Sequence, residues 1–136
     1  MDVLTQEQRQ RNMALIKSKN TTPEKTARAI LRKFGYKFRQ NDSSLIGKPD
    51  IVLRKAKKVI FIHGCFWHMH RCRFGRVVPK TNRIFWKNKR LKNVVRDRKV
   101  VRTLKKENWR VLVLWECQLR KIEKPQKILQ NFINQE

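Results

Sequence analysis

Residues 59–72 of the chain are VIFIHGCFWHMHRC, an apolar run that leads into a cluster of metal-binding side chains. The first four residues are β-branched or aromatic, which favours a strand. All three histidines and two of the three cysteines of the chain then follow between residues 63 and 72. This clustering indicates that a strand delivers the chain directly to a functional loop.

Two further apolar runs define the rest of the predicted sheet. Residues 51–53 (IVL) and 59–62 flank a basic turn at 54–58, a pattern that predicts a β-hairpin. Residues 111–115 (VLVLW) predict another buried strand. None of these runs alternates between apolar and polar residues, which is typical of strands that are covered on both faces.

Helical patterns occur between and around these strands. We predict a helix at 6–18 and a second one that begins with Thr22 as its N-cap and ends at Gly35. A long helix is predicted at 82–107, and a short one after Pro125. The element order predicts a mixed α/β sandwich with a central sheet flanked by helices.

Two acids lie on helix stripes that are otherwise apolar. The stripe of the long helix is predicted to comprise Leu91, Val94, Val101 and Leu104. Asp97 completes it, and an inward-facing acid is unusual. Asp97 either pairs with Arg96 or Arg98, or it orients a histidine. Glu24 similarly continues the stripe of the second helix, unless it only favours the helix dipole.

The charge of the chain narrows the class of partner. The 136 residues include 35 Lys and Arg against 10 Asp and Glu, a net charge of +25. A surface this basic favours a nucleic acid as the partner. The apolar runs are too short to span a membrane, and the polar N-terminal residues indicate no signal peptide. Three cysteines, an odd number, favour a reducing cytosol over a disulfide framework.

The three cysteines are candidate metal ligands. Thiolates from Cys65, Cys72 and Cys117 with one histidine would form the tetrahedral Cys₃His set of structural zinc. The spacing favours His70 as the fourth ligand, because it lies two residues from Cys72. The alternative is that the three cysteines are reduced core residues.

Asp50 is a candidate ligand of a catalytic metal. It follows a proline and opens a strand, as in many metal-dependent nucleases, but the next strand lacks their acid-x-Lys pattern. Asp50 would therefore bind Mg²⁺ with another ligand such as a backbone carbonyl, and His63 or His68 would activate water. Asp97 and Glu24 are the natural carboxylates to orient these histidines.

Phe66 and Trp67 are adjacent large aromatic residues in a polar loop. Either at least one of them belongs to the core, or both form a wedge that inserts between base steps of a duplex. Met13 and Ile16 are candidates for a second wedge from the other groove.

Together these motifs resemble the very-short-patch repair (Vsr) DNA mismatch endonuclease family. The match runs from about residue 11 to 120. Its most specific parts are GKPD at 47–50, HGCFWH at 63–68, NVVRD at 93–97 and WEC at 115–117. The resemblance implies a restriction-endonuclease-like fold with a structural zinc, in one domain over 1–136 whose residues 1–20 form a DNA-contacting arm.

The resemblance also implies an activity. The family nicks duplex DNA on the 5′ side of the thymine in T:G mismatches that arise from 5-methylcytosine deamination, with Mg²⁺. Asp50 and the carbonyl of Ile62 would bind Mg²⁺, His68 would activate water, and His63 would assist at the scissile phosphate. Asp97 and Glu24 would support the histidines. The zinc ligands would be Cys65, His70, Cys72 and Cys117. The intercalating residues would be Phe66, Trp67, Met13 and Ile16.

The expected partner is double-stranded DNA with a T:G mismatch, with other DNA repair proteins as further candidates. We expect a monomer in the bacterial cytoplasm, associated with the nucleoid when it acts. A non-catalytic, zinc-stabilised nucleic-acid-binding module is the alternative, but it leaves Asp50 and Asp97 without a role. A basic RNA-packaging or ribosomal-type protein is a third hypothesis, and it predicts no preference for mismatched DNA.

Overall fold

The computed structural model describes residues 21–73, 75–121 and 123–135. Its elements are α1 (Thr22–Lys33), β1 (Arg39–Gln40), β2 (Ile51–Leu53), β3 (Lys58–His63), α2 (Arg83–Lys106), β4 (Arg110–Trp115), α3 (Glu116–Leu119) and α4 (Glu123–Asn134). The predicted helix at 6–18 and the arm at 1–20, with Met13 and Ile16, lie outside the described residues. No helix within the described ranges is both long enough and apolar enough to cross a bilayer.

The four strands form one mixed sheet in the order β1-β2-β3-β4. The predicted hairpin is confirmed, because β2 and β3 are antiparallel with Ile51 opposite Ile60. In contrast, β3 and β4 are parallel, and this register ends with His63 opposite Trp115. The chain that leaves β3 therefore starts beside the chain that leaves β4, which brings two distant parts of the sequence together.

Helices cover both faces of this sheet, as the continuous apolar runs predicted. Successive strand residues point to opposite faces, so that Ile60 packs with Leu31 of α1 and Leu129 of α4 in one core. Val59 packs with Leu104 of α2 in the other core. The architecture is a mixed α/β fold in which the sheet separates two apolar layers.

Helix α1 begins and ends at residues suited to those positions. Its N-cap is Thr21, one residue before the predicted Thr22, and the Thr21 hydroxyl accepts a hydrogen bond from the backbone N–H of Glu24 at 3.4 Å. Pro23 stands in the first turn, where a missing N–H costs nothing. Gly35 follows the helix with φ of +83°, a left-handed conformation that ends it as predicted.

The predicted inward stripe of α2 is wrong at Leu91. That side chain is 41% exposed, whereas Val100 is 7% exposed and packs on the sheet with Leu104. Valines at several positions allow more than one apolar stripe, so hydrophobic spacing alone does not select the buried face. Gly47 lies against Val100, and a Cβ at this glycine would overlap the valine side chain. The bare backbone of Gly47 therefore allows α2 to approach the loop before β2.

The C-terminal region also differs in detail from the prediction. β4 is an edge strand, so only Leu114 is fully buried and the expected continuous burial is wrong. The segment expected to be a polar loop begins with the short helix α3. Helix α4 begins before Pro125, which occupies its first turn. The two-residue strand β1 was not predicted, because both of its residues are polar.

Candidate active site and cysteine cluster

An open cleft of about 1430 Å³ lies where the start of α1, the end of β3 and the middle of α2 meet. It contains every described residue that the sequence marked as catalytic or as a Mg²⁺ ligand. These residues are Glu24, Asp50, Ile62, His63, His68 and Asp97. Residues that lie up to 73 positions apart in the sequence thus share one cavity.

The carboxylate of Asp97 lies against two histidine rings. Its Oδ2 is 2.5 Å from Nδ1 of His68, and its Oδ1 is 3.9 Å from Nε2 of His63. The two rings stack with their centroids 3.9 Å apart and their planes within 4°. A proton held on Nδ1 of His68 by the carboxylate leaves Nε2 of the same ring free to accept another proton. The arrangement can therefore perform general base chemistry.

Helix α2 fixes the loop that carries His68. Asn93 lies one turn before Asp97 on α2, and its Nδ2 donates a hydrogen bond to the backbone carbonyl of Trp67 at 3.1 Å. The backbone N–H of His68 donates to the carbonyl of Gly64 at 3.2 Å, which closes a tight turn after β3. Asp97 and Asn93, one turn apart on α2, thus hold the ring of His68 and the backbone directly before it.

His63 is the buried member of the histidine pair. Burial, together with the nearby His68, lowers the pKa of His63 to about 4. Its Nδ1 is buried and has no hydrogen-bond partner among the residues that the structure describes. His63 is therefore neutral near pH 7.

Asp50 lines the cleft from the residue directly before β2. Its Oδ2 accepts a hydrogen bond of 2.6 Å from the backbone N–H of Ile62. Burial raises the pKa of Asp50 to about 7; the Ile62 N–H opposes this rise and the negative charge of Glu24 adds to it. A divalent cation would favour the ionised form, and carboxylate oxygens are ligands that hard cations prefer. Asp50 and Glu24 therefore suit a cation such as Mg²⁺.

Glu24 faces inward, as its place on the apolar stripe indicated. It is 4% exposed, and its Oε2 lies 3.5 Å from Nη1 of Arg28 one turn later. The negative charge of Glu24 contributes to the raised pKa of Asp50. The structure thus places Glu24 beside the candidate metal ligand, while its support of the histidines stays a prediction.

The three cysteines and His70 form a second cluster beside the cleft. Their ligand atoms all lie within 4.8 Å of one another, with Sγ of Cys117 3.4 Å from Nδ1 of His70. The backbone N–H of Cys117 also donates to Sγ of Cys65 at 3.4 Å. This meeting follows from the parallel register, because Cys65 and Cys117 each lie two residues beyond the last paired residues of β3 and β4.

The donor set of this cluster fits a metal that prefers sulfur. Two sulfur ligands of a tetrahedral zinc with bonds of 2.3 Å are about 3.8 Å apart, and all ligand atoms of the cluster lie within 4.8 Å of one another. Burial raises the pKa of Cys65 to about 12. A bound cation would reverse that preference, because thiolates are the form that binds metal. The cluster is therefore a possible metal site of the closed, structural kind.

Phe66 and Trp67 belong to an aromatic surface at the edge of the cleft. Both are half-buried, and neither belongs to the two core clusters. The ring of Trp86 on α2 lies 6.2 Å from that of Phe66 and 5.6 Å from that of Trp67. Lys89 Nζ lies 5.4 Å from the centre of the Trp67 ring. Aromatic faces and a cation thus combine at one surface.

Sequence analysis missed Trp86 and its neighbour Phe85, which is exposed. A signal for them exists, because residues 85–86 repeat the Phe-Trp pair of residues 66–67. Helical spacing would have assigned them to the first turn of α2. Their approach to the loop depends on tertiary packing that the sequence pattern does not specify.

Comparison with known proteins identifies the relatives of this chain. Residues 1–74 match the family model described as DNA mismatch endonuclease Vsr. A DNA mismatch endonuclease Vsr from Escherichia coli is 45% identical over 123 residues, 90% of this chain and 78% of that protein. The type II nicking enzyme V.XorIIP from Xanthomonas oryzae pv. oryzae is 41% identical over 133 residues, covering 98% and 97%.

Fold, cleft and relatives together define a DNA endonuclease. The chain belongs to the Vsr family of DNA mismatch endonucleases. The alternatives of a non-catalytic binding module and of an RNA-packaging or ribosomal-type protein are therefore wrong. DNA is its substrate, and the family supports the use of a divalent metal.

Proposed function

We propose that the chain is a Mg²⁺-dependent, strand-specific endonuclease that nicks on the 5′ side of the thymine in T:G mismatches. Such mismatches arise when 5-methylcytosine deaminates, which would make the reaction the first step of very short patch repair. The observation that carries this proposal is the contact of Asp97 with His68, in the same cleft as Asp50. It combines a positioned base with an oxygen ligand for a metal.

His68 would act as the general base. With its Nδ1 proton directed to Asp97, its Nε2 can take a proton from the attacking water, and the carboxylate then stabilises the imidazolium. His63 stacks on that ring and stays neutral, so it would assist at the scissile phosphate. A second positive charge next to His68 would oppose its protonation, which the low pKa of His63 avoids.

Asp50 and the carbonyl of Ile62 would hold the Mg²⁺, with Glu24 nearby. When bound, the ion would neutralise charge on the phosphate and on the leaving oxygen. The hydrogen bond from the Ile62 N–H fixes the carboxylate of Asp50 beside the Ile62 backbone. The donor set consists of oxygen atoms, which suits Mg²⁺ better than a metal that prefers sulfur.

The aromatic surface would recognise the mismatch by intercalation. Phe66 and Trp67 would insert beside the T:G pair, and Met13 and Ile16 of the arm at 1–20 would insert from the other groove. Trp67 directly precedes His68, so insertion of its ring would also set the scissile phosphate in reach of the base. The net charge of +25 would supply salt-sensitive, sequence-independent affinity for the backbone.

Zinc at Cys65, His70, Cys72 and Cys117 would hold the catalytic loop against the end of β4. A tetrahedral Cys₃His site has no open position for substrate, so its contribution would be structural. The metal would replace hydrophobic packing in a loop with few core residues.

We further propose that the domain acts as a monomer.

The proposal is tested with duplexes labelled on both strands. A panel contains T:G, T:A and C:G at one position with varied flanking bases, and each duplex is incubated with Mg²⁺ or with EDTA. We expect one nick, on the 5′ side of the mismatched thymine, in Mg²⁺ alone. Equal nicking of matched and mismatched duplexes, or nicking in EDTA, would contradict the proposal.

A further inference from the structure

Arg90 is a buried arginine that holds the loop of the aromatic surface onto α2. Its side chain is 5% exposed. Nε donates a hydrogen bond to the carbonyl of Phe66 at 2.7 Å, and Nη1 donates to the carbonyl of Val77 at 2.9 Å. Nη2 donates to the carbonyl of Gly75. The guanidinium carbon also lies 4.3 Å from the centre of the Phe66 ring.

These contacts join the two ends of one loop. Phe66 follows the first cysteine of the cluster, and Gly75 and Val77 follow Cys72. A single guanidinium therefore fixes the chain before His70 and after Cys72, and it covers one face of the Phe66 ring. One turn further along α2, Asn93 binds the next carbonyl, that of Trp67.

The charge of Arg90 is held by carbonyl dipoles. None of the ion pairs within the described ranges includes this residue, and burial lowers its pKa. A buried cation is costly to desolvate, and an apolar side chain of similar volume would often be as stable at such a place. Stability alone therefore explains poorly why an arginine occupies this position. Its planar guanidinium explains it better, because several donors in a fixed geometry can bind several carbonyls at once.

We propose that Arg90 is a positioning residue for mismatch recognition, which holds the Phe66 ring at the angle at which it enters the duplex. This inference rests on the proposed wedge role of Phe66 and Trp67. A ring held in advance loses less conformational freedom on binding than a mobile one. Lysine keeps the charge, but a single ammonium does not reproduce the planar fork that binds three carbonyls and stacks on the ring.

The test compares Arg90→Lys and Arg90→Gln with Arg102→Lys, a control at an exposed arginine of the same helix. A duplex carries 2-aminopurine next to the T:G pair, and its fluorescence reports unstacking on binding in Ca²⁺. We expect both Arg90 variants to lose most of the fluorescence rise. Their preference for mismatched over matched DNA should fall about tenfold. For Arg90→Lys, melting temperature, metal content and affinity for matched DNA stay close to those of the unmodified protein.

Three results would overturn the proposal, each in a different way. Full unstacking and full mismatch preference in both Arg90 variants would show that Phe66 needs no such support. Parallel loss of metal content, melting temperature and binding to matched and mismatched DNA would assign Arg90 a purely structural role. A Phe66→Ala variant with undiminished mismatch preference would refute the wedge role of Phe66, and the role of Arg90 with it.

Discussion

The cleft and the cysteine cluster take interleaved residues from the stretch 63–72, yet they differ in openness and in the chemistry of their donor atoms. His63 and His68 face the cleft, while Cys65, His70 and Cys72 face the cluster. The cleft is open, and its donors are oxygen and imidazole nitrogen. The cluster is compact, and three of its four donors are sulfur.

This difference shows how one loop can serve two purposes. In the cleft, hydrogen bonds from Ile62 and His68 hold the carboxylates of Asp50 and Asp97, so the geometry depends on the protein. In the cluster, one buried and two half-buried cysteines lie with His70, without a carboxylate among the four, so the geometry suits a metal ion as the organising group. We therefore expect catalysis and stability to separate when each region is changed.

The largest effect is expected from Asp50→Asn. Asparagine keeps an acceptor for the Ile62 N–H but loses the charge that would bind Mg²⁺. Single-turnover nicking of a T:G duplex should fall on the order of a thousandfold or more. Metal content at the cysteine cluster and melting temperature should not fall, because a buried carboxylate is removed. A rate within tenfold of the unmodified enzyme would contradict the assignment.

Cys117→Ser should give the opposite pattern. Loss of one of four ligands should release the metal and lower the free energy of unfolding by about 3 kcal/mol. Metal content by mass spectrometry and thermal unfolding measure this effect. A variant that keeps its metal and its melting temperature but no longer nicks DNA would place Cys117 in catalysis and erase the distinction between the two regions.

Asp97→Asn should reduce the nicking rate about a hundredfold, because the amide cannot stabilise the imidazolium of His68 as a carboxylate does. The rate constant at saturating DNA is the relevant measurement. Glu107→Gln is the matched control, since Glu107 is an exposed acid at the end of the same helix. Asp97→Asn with a rate within threefold of the control would refute the predicted role.

The smallest effect is expected from Trp67→Ala. Stacking of a base on an aromatic ring contributes about 1–3 kcal/mol, so mismatch preference should fall about tenfold or more while binding to matched DNA changes little. Competition binding measures both quantities. Val95→Ala, at an exposed position of α2 outside the aromatic surface, should leave both unchanged. Equal losses on matched and mismatched DNA would argue against intercalation by Trp67.

Much of the fold was predictable because its signals are local. The hairpin follows from two apolar runs around a basic turn, and α1 follows from a proline near its start and a glycine after its end. The buried face of α2 was not predictable, because its valines allow several stripes and only contact with Gly47 and the sheet selects Val100. β1 carries no apolar signal, since pairing with β2 alone defines it.

The candidate site was predictable for a different reason. Histidines, cysteines and inward acids are rare in this chain, so their positions stand out without any knowledge of the fold. Arg90 does not stand out among 35 basic residues. Its burial depends on the path of the loop after Cys72, which no sequence period describes.

Gly47 lines the cleft at the point where the loop before β2 meets α2. The backbone of this glycine rests on Val100, which lies one helical turn from Asp97, and the chain reaches Asp50 three residues later. The loop that carries Asp50 and the helix that carries Asp97 thus meet at a contact that a Cβ at residue 47 would disrupt. Any side chain there would wedge α2 outward, and a displacement of 1 Å can cost a reaction about a hundredfold. Gly47 would therefore affect the geometry of the active site without contacting any of the reacting groups.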